Sequence, residues 1–161
     1  MLEQLELFIV KYFGKDVAVF ILAMFPLVEI KGAIPFGILM RMDTLESTIC
    51  AYFGSMVPIY FVLKFTPWCF AQLLRFKHTE KIIVRLQMRA MQKSDVIQKY
   101  GYWGLFIFVA IPLPGTGVWM GAFIAAILKL YRFKAFVAIA LGNLCSAIII
   151  YLLSTGILTI F

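Results

Sequence analysis

Histidine and cysteine are scarce in this 161-residue sequence, which contains one histidine and three cysteines. Cys50, Cys69 and Cys145 form no CxxC or CxxxC pair, so neither a disulfide framework nor a zinc site is predicted. The single histidine, His78, lies in a charged segment, and the serines and threonines of the apolar segments have no histidine partner. No Gly-Lys-Ser/Thr motif follows a glycine-rich loop. The sequence therefore predicts no metal site, no cofactor and no enzyme activity.

Charged residues are also few, at 14%, whereas 63% of the residues are hydrophobic and the mean hydropathy is +0.97. Ordinary globular chains contain about 45–50% apolar residues. A soluble chain of this length could not bury the excess apolar surface. We therefore interpret residues 1–161 as a single all-α integral membrane domain.

Four long apolar segments organise the chain. Helix breakers interrupt the first and the third, whereas the second and the fourth are uninterrupted and long enough to span a bilayer. Pro26 and Pro112 lie 86 residues apart, and Gly54 and Gly142 lie 88 residues apart, which indicates a weak internal repeat. Chance similarity in low-diversity membrane sequence is the alternative. The apolar segments are 17–41, 45–67, 103–128 and 134–161, which give repeat 1 (about 17–67) and repeat 2 (about 103–161).

The positive charges decide how the two interrupted segments are placed. Residues 75–100 carry a net charge of +5 and residues 129–134 carry +3, whereas residues 1–16 and 41–46 each carry −1. Positive loops are typically cytoplasmic. If all four segments crossed the membrane, the two basic segments would lie on opposite sides. If the interrupted segments are re-entrant helical hairpins, both basic segments are cytoplasmic and both termini are outside. We therefore prefer the hairpin model to four full crossings.

The hairpin model gives each half of the chain one re-entrant hairpin and one transmembrane helix. Each half then crosses the membrane an odd number of times, so the halves form an inverted repeat, as in many secondary transporters. The hairpin turns, at Glu29–Lys31 and at Pro112–Gly117, are predicted to meet near the middle of the bilayer.

The first turn carries two ionisable residues inside apolar sequence, Glu29 and Lys31. Ionisable groups are costly in a bilayer, and they usually face a cavity and mark a transport pathway. Glu29 is a candidate proton carrier, because burial favours the neutral form of a carboxyl group. Lys31 is a candidate ligand for an anionic group such as phosphate. An ion pair that only fixes the hairpin geometry is the alternative.

The second turn has three candidate hydrogen-bond donors to an anion. They are the backbone N–H groups of Gly115 and Gly117 and the hydroxyl of Thr116. A tight turn that lets two hairpins touch is the alternative interpretation. Trp119, close to this turn, is a candidate cavity-lining residue, with packing or lipid contact as alternatives. Asn143 in the last apolar segment is a candidate hydrogen-bond partner of a turn.

Two further segments predict amphipathic helices on the membrane surface. Residues 1–13 carry apolar residues at helical spacing with charges between them. Residues 81–93 carry a basic residue at every fourth position, opposite an apolar arc, which suits the anionic cytoplasmic leaflet. Nucleic-acid binding is not predicted, because the basic segment lacks aromatic stacking residues.

Two motifs at their correct separation, followed by GN at 142–143, carry a resemblance to a known family: EIKGAIPFGI (29–38) and PLPGTGVWMGAFIA (112–125). The chain resembles the small multi-drug export protein family, which is related by fold to the DedA membrane proteins. The resemblance implies two opposed re-entrant hairpins and, through DedA, proton-coupled translocation of lipid phosphates such as polyprenyl phosphates. The candidate functional positions that it carries over are Glu29, Lys31, Gly32, Pro35, Pro112, Leu113, Pro114, Gly115, Thr116 and Gly117.

We therefore expect a proton-coupled secondary transporter in the cytoplasmic membrane of a prokaryote, moving a lipid phosphate or another amphipathic substrate. Its expected partners are membrane lipids, the substrate, protons and a second copy of the chain in a homodimer. An exporter of amphipathic cations, with Glu29 as the counter-ion, is the alternative within transport. A non-transporting membrane scaffold or assembly factor is the alternative from another class.

Overall fold

A computed structural model describes residues 14–73, 84–85, 88, 95–113 and 115–160, and in these residues the regular secondary structure is entirely helical. The predicted surface helices at 1–13 and 81–93 lie outside the described residues, apart from Val84, Arg85 and Met88. The helices of the described chain are α1 (Lys15–Ala23), α2 (Glu29–Leu39), α3 (Thr44–Leu73), α4 (Asp95–Tyr100), α5 (Tyr102–Ala110), α6 (Val118–Ile127) and α7 (Arg132–Ile160).

Helices α1 and α2 form a helix-turn-helix pair. Helix α1 begins after Gly14, whose φ of 87° suits glycine, and it ends before Pro26. The chain reverses between α1 and α2, and the two helices pack against each other. A Cβ added at Gly37 of α2 would lie 3.0 Å from Cγ2 of Val19 in α1. The first interrupted apolar segment is therefore two short packed helices.

Helices α5 and α6 form the corresponding pair in the second half. Helix α5 follows Gly101, whose φ is 57°, and a Cβ added at Gly121 of α6 would lie 2.7 Å from Cγ2 of Val109 in α5. Gly14 and Gly101 are 87 residues apart. Both interrupted segments thus have the same local construction.

The two helix pairs also end in the same way. Arg41 after α2 and Lys129 after α6 have φ values of 58° and 53°, and they lie 88 residues apart. The N–H of the next residue bonds back five residues in both places, from Met42 to Gly37 O and from Leu130 to Ala125 O, each at 3.0 Å. This is the Schellman helix end, with a basic residue where glycine is usual.

Helices α3 and α7 are the two long helices. The stretches Thr44–Cys69 and Arg132–Gly156 are long and apolar enough to cross a bilayer. In the most apolar 18-residue stretch of each helix, only 33% (α3) and 39% (α7) is buried, whereas the core helix of a soluble protein is mostly buried. The prediction of transmembrane helices at 45–67 and 134–161 is confirmed for the described residues.

The described residues form two compact units, and α3 and α7 each contribute to both. One unit comprises the described residues up to Val57 together with those from Leu144 onward, and its core includes Val19, Leu22, Ile30 and Ile34. The other comprises the described residues of Pro58–Asn143, and its buried residues include Leu105, Val109, Ile124 and Ile139. Each unit holds one short-helix pair. The re-entrant placement, the inverted orientation and the single domain stay predictions.

Candidate functional site

Glu29 and Lys31 lie in the first turn of α2, directly after the chain reversal. Their side chains form an ion pair, with 3.4 Å between Glu29 Oε2 and Lys31 Nζ. Residues two apart on a regular helix point in different directions, so the pair depends on the irregular backbone that begins α2. Glu29 is buried, with 6% of its surface exposed, whereas 26% of the Lys31 side chain is exposed. The carboxylate is therefore shielded while the ammonium remains within reach of a ligand.

The backbone at Glu29 is strained. Its φ is 48°, in the left-handed region that residues with a Cβ rarely adopt. Its N–H donates to Phe25 O at 3.0 Å, which closes the turn. Residues in such conformations persist only where the surrounding structure holds them, and they cluster at functional sites. Burial, charge and strain thus coincide at one residue.

Gly32 and Pro35 shape the helix around the ion pair. A Cβ at Gly32 would lie 2.8 Å from Cγ1 of Val28, so the turn favours a residue without a side chain. Pro35 lies inside α2, and because proline has no N–H it cannot supply the helical hydrogen bond to the carbonyl of Lys31. Pro35 therefore removes one helical hydrogen bond next to Lys31, whereas Gly32 keeps its helical bond to Val28 O at 2.9 Å.

The side chain of Thr116 forms the hydrogen bonds that close the second turn, between α5 and α6. The hydroxyl of Thr116 accepts the N–H of Leu113 at 3.2 Å and lies 2.9 Å from the carbonyl oxygens of Ile111 and Leu113. Gly115 and Gly117 have φ values of 80° and 132°, which favour glycine. Thr116 therefore closes the turn, and its hydroxyl is engaged by the chain itself.

The family model described as "Putative small multi-drug export protein" matches residues 29–149, which run from the start of α2 at Glu29 through the α5–α6 turn into α7. The chain belongs to this small multi-drug export family. The comparisons with curated proteins and with solved structures find no match. The predicted resemblance is therefore confirmed, and the relation to DedA stays a prediction.

The remaining predicted residues of this member of the small multi-drug export family are distributed over the second unit. Pro112 is half-buried in the second turn, and Trp119 is half-buried in the first turn of α6. Asn143 is buried in α7, one residue after Gly142. Pro114 lies outside the described residues. The structure brings Glu29 and Lys31 together, and the meeting of the two turns stays a prediction.

Ser47 is a structural residue that the sequence reasoning missed. Its Oγ donates to the carbonyl oxygen of Ile34 at 3.0 Å, and the serine is fully buried. Gly37 leaves the room for this contact, because a Cβ there would overlap the Ser47 side chain. The hydrogen bond joins the start of α3 to α2 and so fixes the helix that carries Glu29. A serine in the first turn of an apolar helix is the signal that could have identified it.

The chemistry of the site is that of an ion pair at an irregular helix start. Among the described residues, no three histidine, cysteine, aspartate or glutamate side chains are close enough to hold a metal ion. Proton exchange at Glu29 and anion binding at Lys31 stay predictions.

Proposed function

We propose that this member of the small multi-drug export family is a proton-coupled secondary transporter. Its proposed substrate is an amphipathic anion of the lipid-phosphate class, such as a polyprenyl phosphate. The observation that carries the proposal is the ion pair between buried, strained Glu29 and partly exposed Lys31, within a chain that has two membrane-spanning helices. The family description supports transport across a membrane. The direction that it names, export, fits the antiport alternative given below and not inward symport.

The ion pair couples a proton to an anion in the proposed mechanism. When Glu29 is ionised, it holds the ammonium of Lys31 at 3.4 Å. When Glu29 takes up a proton, that attraction is lost, and the ammonium can exchange the carboxylate for the phosphate oxygens of a substrate. Proton and anion therefore occupy the site together, so the two move in the same direction and the proton gradient drives the lipid phosphate.

The lengths of the short helices support a re-entrant placement of the site. Helices α1 and α2 have 9 and 11 residues, and a rise of 1.5 Å per residue makes them about 14 and 17 Å long. The hydrocarbon core is about 30 Å thick, so each helix reaches only about half-way. A pair that enters and returns on one side would place Glu29 and Lys31 near the middle of the bilayer.

We also propose a homodimer in the cytoplasmic membrane of a prokaryote, with residues 75–100 on the cytoplasmic side. The charge asymmetry of the loops supports this orientation. Two long helices and two short pairs offer little protein to enclose a pathway, which favours self-association.

Reconstituted vesicles test the proposal. Uptake of a short-chain fluorescent polyprenyl phosphate is measured with and without an inward proton gradient. Glu29→Gln is expected to remove the dependence on the gradient and to lower the uptake rate at least tenfold. Glu46→Gln, at an exposed carboxylate in the first turn of α3, is the matched control. Unchanged pH dependence in Glu29→Gln would contradict the proton-carrier role.

Export of amphipathic cations is the second candidate, and the family description favours it. In that case the Glu29 carboxylate binds the cation directly and exchanges it for a proton, which gives antiport. The two candidates differ in their need for Lys31: Lys31→Gln should raise the KM for a phosphate lipid, whereas a cation should not need the ammonium.

A further inference from the structure

A cavity of about 780 Å³ lies in the unit formed by Pro58–Asn143, away from the Glu29–Lys31 pair in sequence. The second half of α3 lines one side of it, and the connection between α6 and α7 lines the other. Three cations line the cavity: Lys64, Lys129 and Arg132. Within the part of the chain that the structure describes, no carboxylate forms an ion pair with any of the three. Among the described residues, the cavity therefore gathers three positive charges with no carboxylate paired to them.

The backbone around these cations is fixed by hydrogen bonds. Lys129 takes its left-handed conformation inside the Schellman helix end, which Leu130 closes with its bond to Ala125 O. The N–H of Tyr131 donates to the hydroxyl of Tyr102 at 3.1 Å. The connection therefore presents Lys129 and Arg132 from a defined backbone.

The fold of the other unit contains an equivalent cavity without the cations. This second cavity, of about 510 Å³, lies between the first half of α3 and the second half of α7, and no charged residue lines it. Leu152 lies 88 residues after Lys64 and lines the second cavity, and Thr44 lies 88 residues before Arg132. Arg41 lies 88 residues before Lys129, but it does not line the second cavity. Among the described residues, the cluster of three cations therefore belongs to the first cavity.

We propose that the cavity lined by Lys64, Lys129 and Arg132 binds the phosphate head group of an anionic membrane lipid. Phosphate oxygens accept charge-assisted hydrogen bonds from lysine and arginine, and arginine can donate two in parallel. Basic pockets next to transmembrane helices are known lipid head-group sites. This inference does not rest on the proposed transport function, because a lipid bound here need not be moved.

Apolar side chains at the same cavity favour a lipid over free phosphate. Leu63 of α3 and Phe133 and Phe136 of α7 line it beside the cations, and the neighbouring α3 residues Phe61 and Phe65 are exposed on the apolar surface of the helix. An acyl chain can lie along these side chains while its phosphate contacts the cations. Free phosphate would leave the aromatic surface uncovered.

Native mass spectrometry of the full chain in detergent tests the proposal by counting bound lipids. Phosphatidic acid and phosphatidylcholine with identical acyl chains are titrated separately. We expect the wild-type chain to prefer phosphatidic acid, and we expect the double variant Lys64→Gln/Arg132→Gln to bind phosphatidic acid at least about tenfold more weakly. The phosphatidylcholine affinity should not change.

The matched control removes the same number of charges outside the cavity. Lys99 and Lys134 are exposed and do not line it, so Lys99→Gln/Lys134→Gln should keep the phosphatidic acid affinity. Equal weakening in both double variants would assign the effect to general surface charge and overturn the site. In a third arm, inorganic phosphate at millimolar concentration should not displace the lipid; complete displacement would overturn the assignment to a lipid. Circular dichroism and size exclusion check that each variant folds.

Discussion

Gly54 of α3 packs directly on the backbone carbonyl of Phe20 in α1, so closely that a Cβ at Gly54 would overlap the carbonyl oxygen. The same relationship occurs in the second half, where a Cβ at Gly142 of α7 would lie 2.6 Å from the carbonyl oxygen of Phe106 in α5. Phe20 and Phe106 are 86 residues apart. Each long helix therefore packs on its short-helix pair through a glycine that contacts backbone atoms. Backbone atoms cannot move aside as a flexible side chain can.

Alanine at either glycine should therefore destabilise the protein. Gly54→Ala and Gly142→Ala are each expected to lower the free energy of unfolding by about 1–3 kcal/mol, the usual cost of overpacking a rigid contact. Thermal or denaturant unfolding in detergent measures the change. Gly156→Ala in α7 is the control, because a Cβ there meets nothing within 4 Å and alanine favours the helix. Equal stability of the Gly54, Gly142 and Gly156 variants would contradict the close packing.

Replacing Arg41 by glycine should instead stabilise the protein. Its φ of 58° costs a residue with a Cβ about 1–2 kcal/mol, and glycine avoids that cost. Arg41→Gly is expected to raise the free energy of unfolding by up to about 1 kcal/mol, since the more flexible unfolded chain offsets part of the gain. Met40→Gly, at a φ of −79°, should lower it. Unfolding of both variants in the same detergent measures the pair, and destabilisation by Arg41→Gly as large as that by Met40→Gly would argue against relief of backbone strain.

The helical architecture could be predicted from composition and from helix breakers. The long apolar runs at 45–67 and 134–161 correspond to α3 and α7, because a helix satisfies its own backbone hydrogen bonds in a bilayer. Helix α3 continues through Pro58 and Pro67. The identical helix ends at Arg41 and Lys129 could not be predicted, since glycine is the usual residue there. In the structure, local backbone hydrogen bonds hold these two exposed residues in that conformation.

The candidate site could be predicted in part. Glu29 and Lys31 stand out because charge is rare in apolar sequence, whereas their 3.4 Å contact depends on the left-handed backbone of Glu29. The basic cavity was not predicted, because Lys64 belongs to an apolar segment and meets Lys129 and Arg132 only after the chain folds. Sequence spacing carries no signal for a contact between residues that far apart.

Lys31→Arg should strengthen phosphate binding if the anion site is formed as proposed. Arginine keeps the charge and adds the planar, two-pronged geometry that matches phosphate oxygens. We expect the KM for a phosphate lipid to fall several-fold in Lys31→Arg and to rise at least tenfold in Lys31→Gln, with transport measured in proteoliposomes. Lys15→Gln, at an exposed lysine in the first turn of α1, is the control. A KM that is the same in all four proteins would leave Lys31 without a role in substrate binding.

The sidedness of four exposed positions tests the re-entrant, inverted arrangement. Single cysteines replace Lys15, Asp43, Lys99 and Tyr131 in a chain whose three native cysteines have been changed to alanine. If, as proposed, α3 and α7 each cross once and the short pairs return to the side from which they entered, position 43 should react with an impermeant maleimide from outside. Positions 99 and 131 should react only after the membrane is opened. Position 15, just before α1, should share the outside accessibility of position 43 if the α1–α2 pair is re-entrant. Reaction of positions 99 and 131 from opposite sides would mean that the α5–α6 pair crosses the membrane. The halves would then not be inverted, and Glu29 and Lys31 would have no opposed turn to meet.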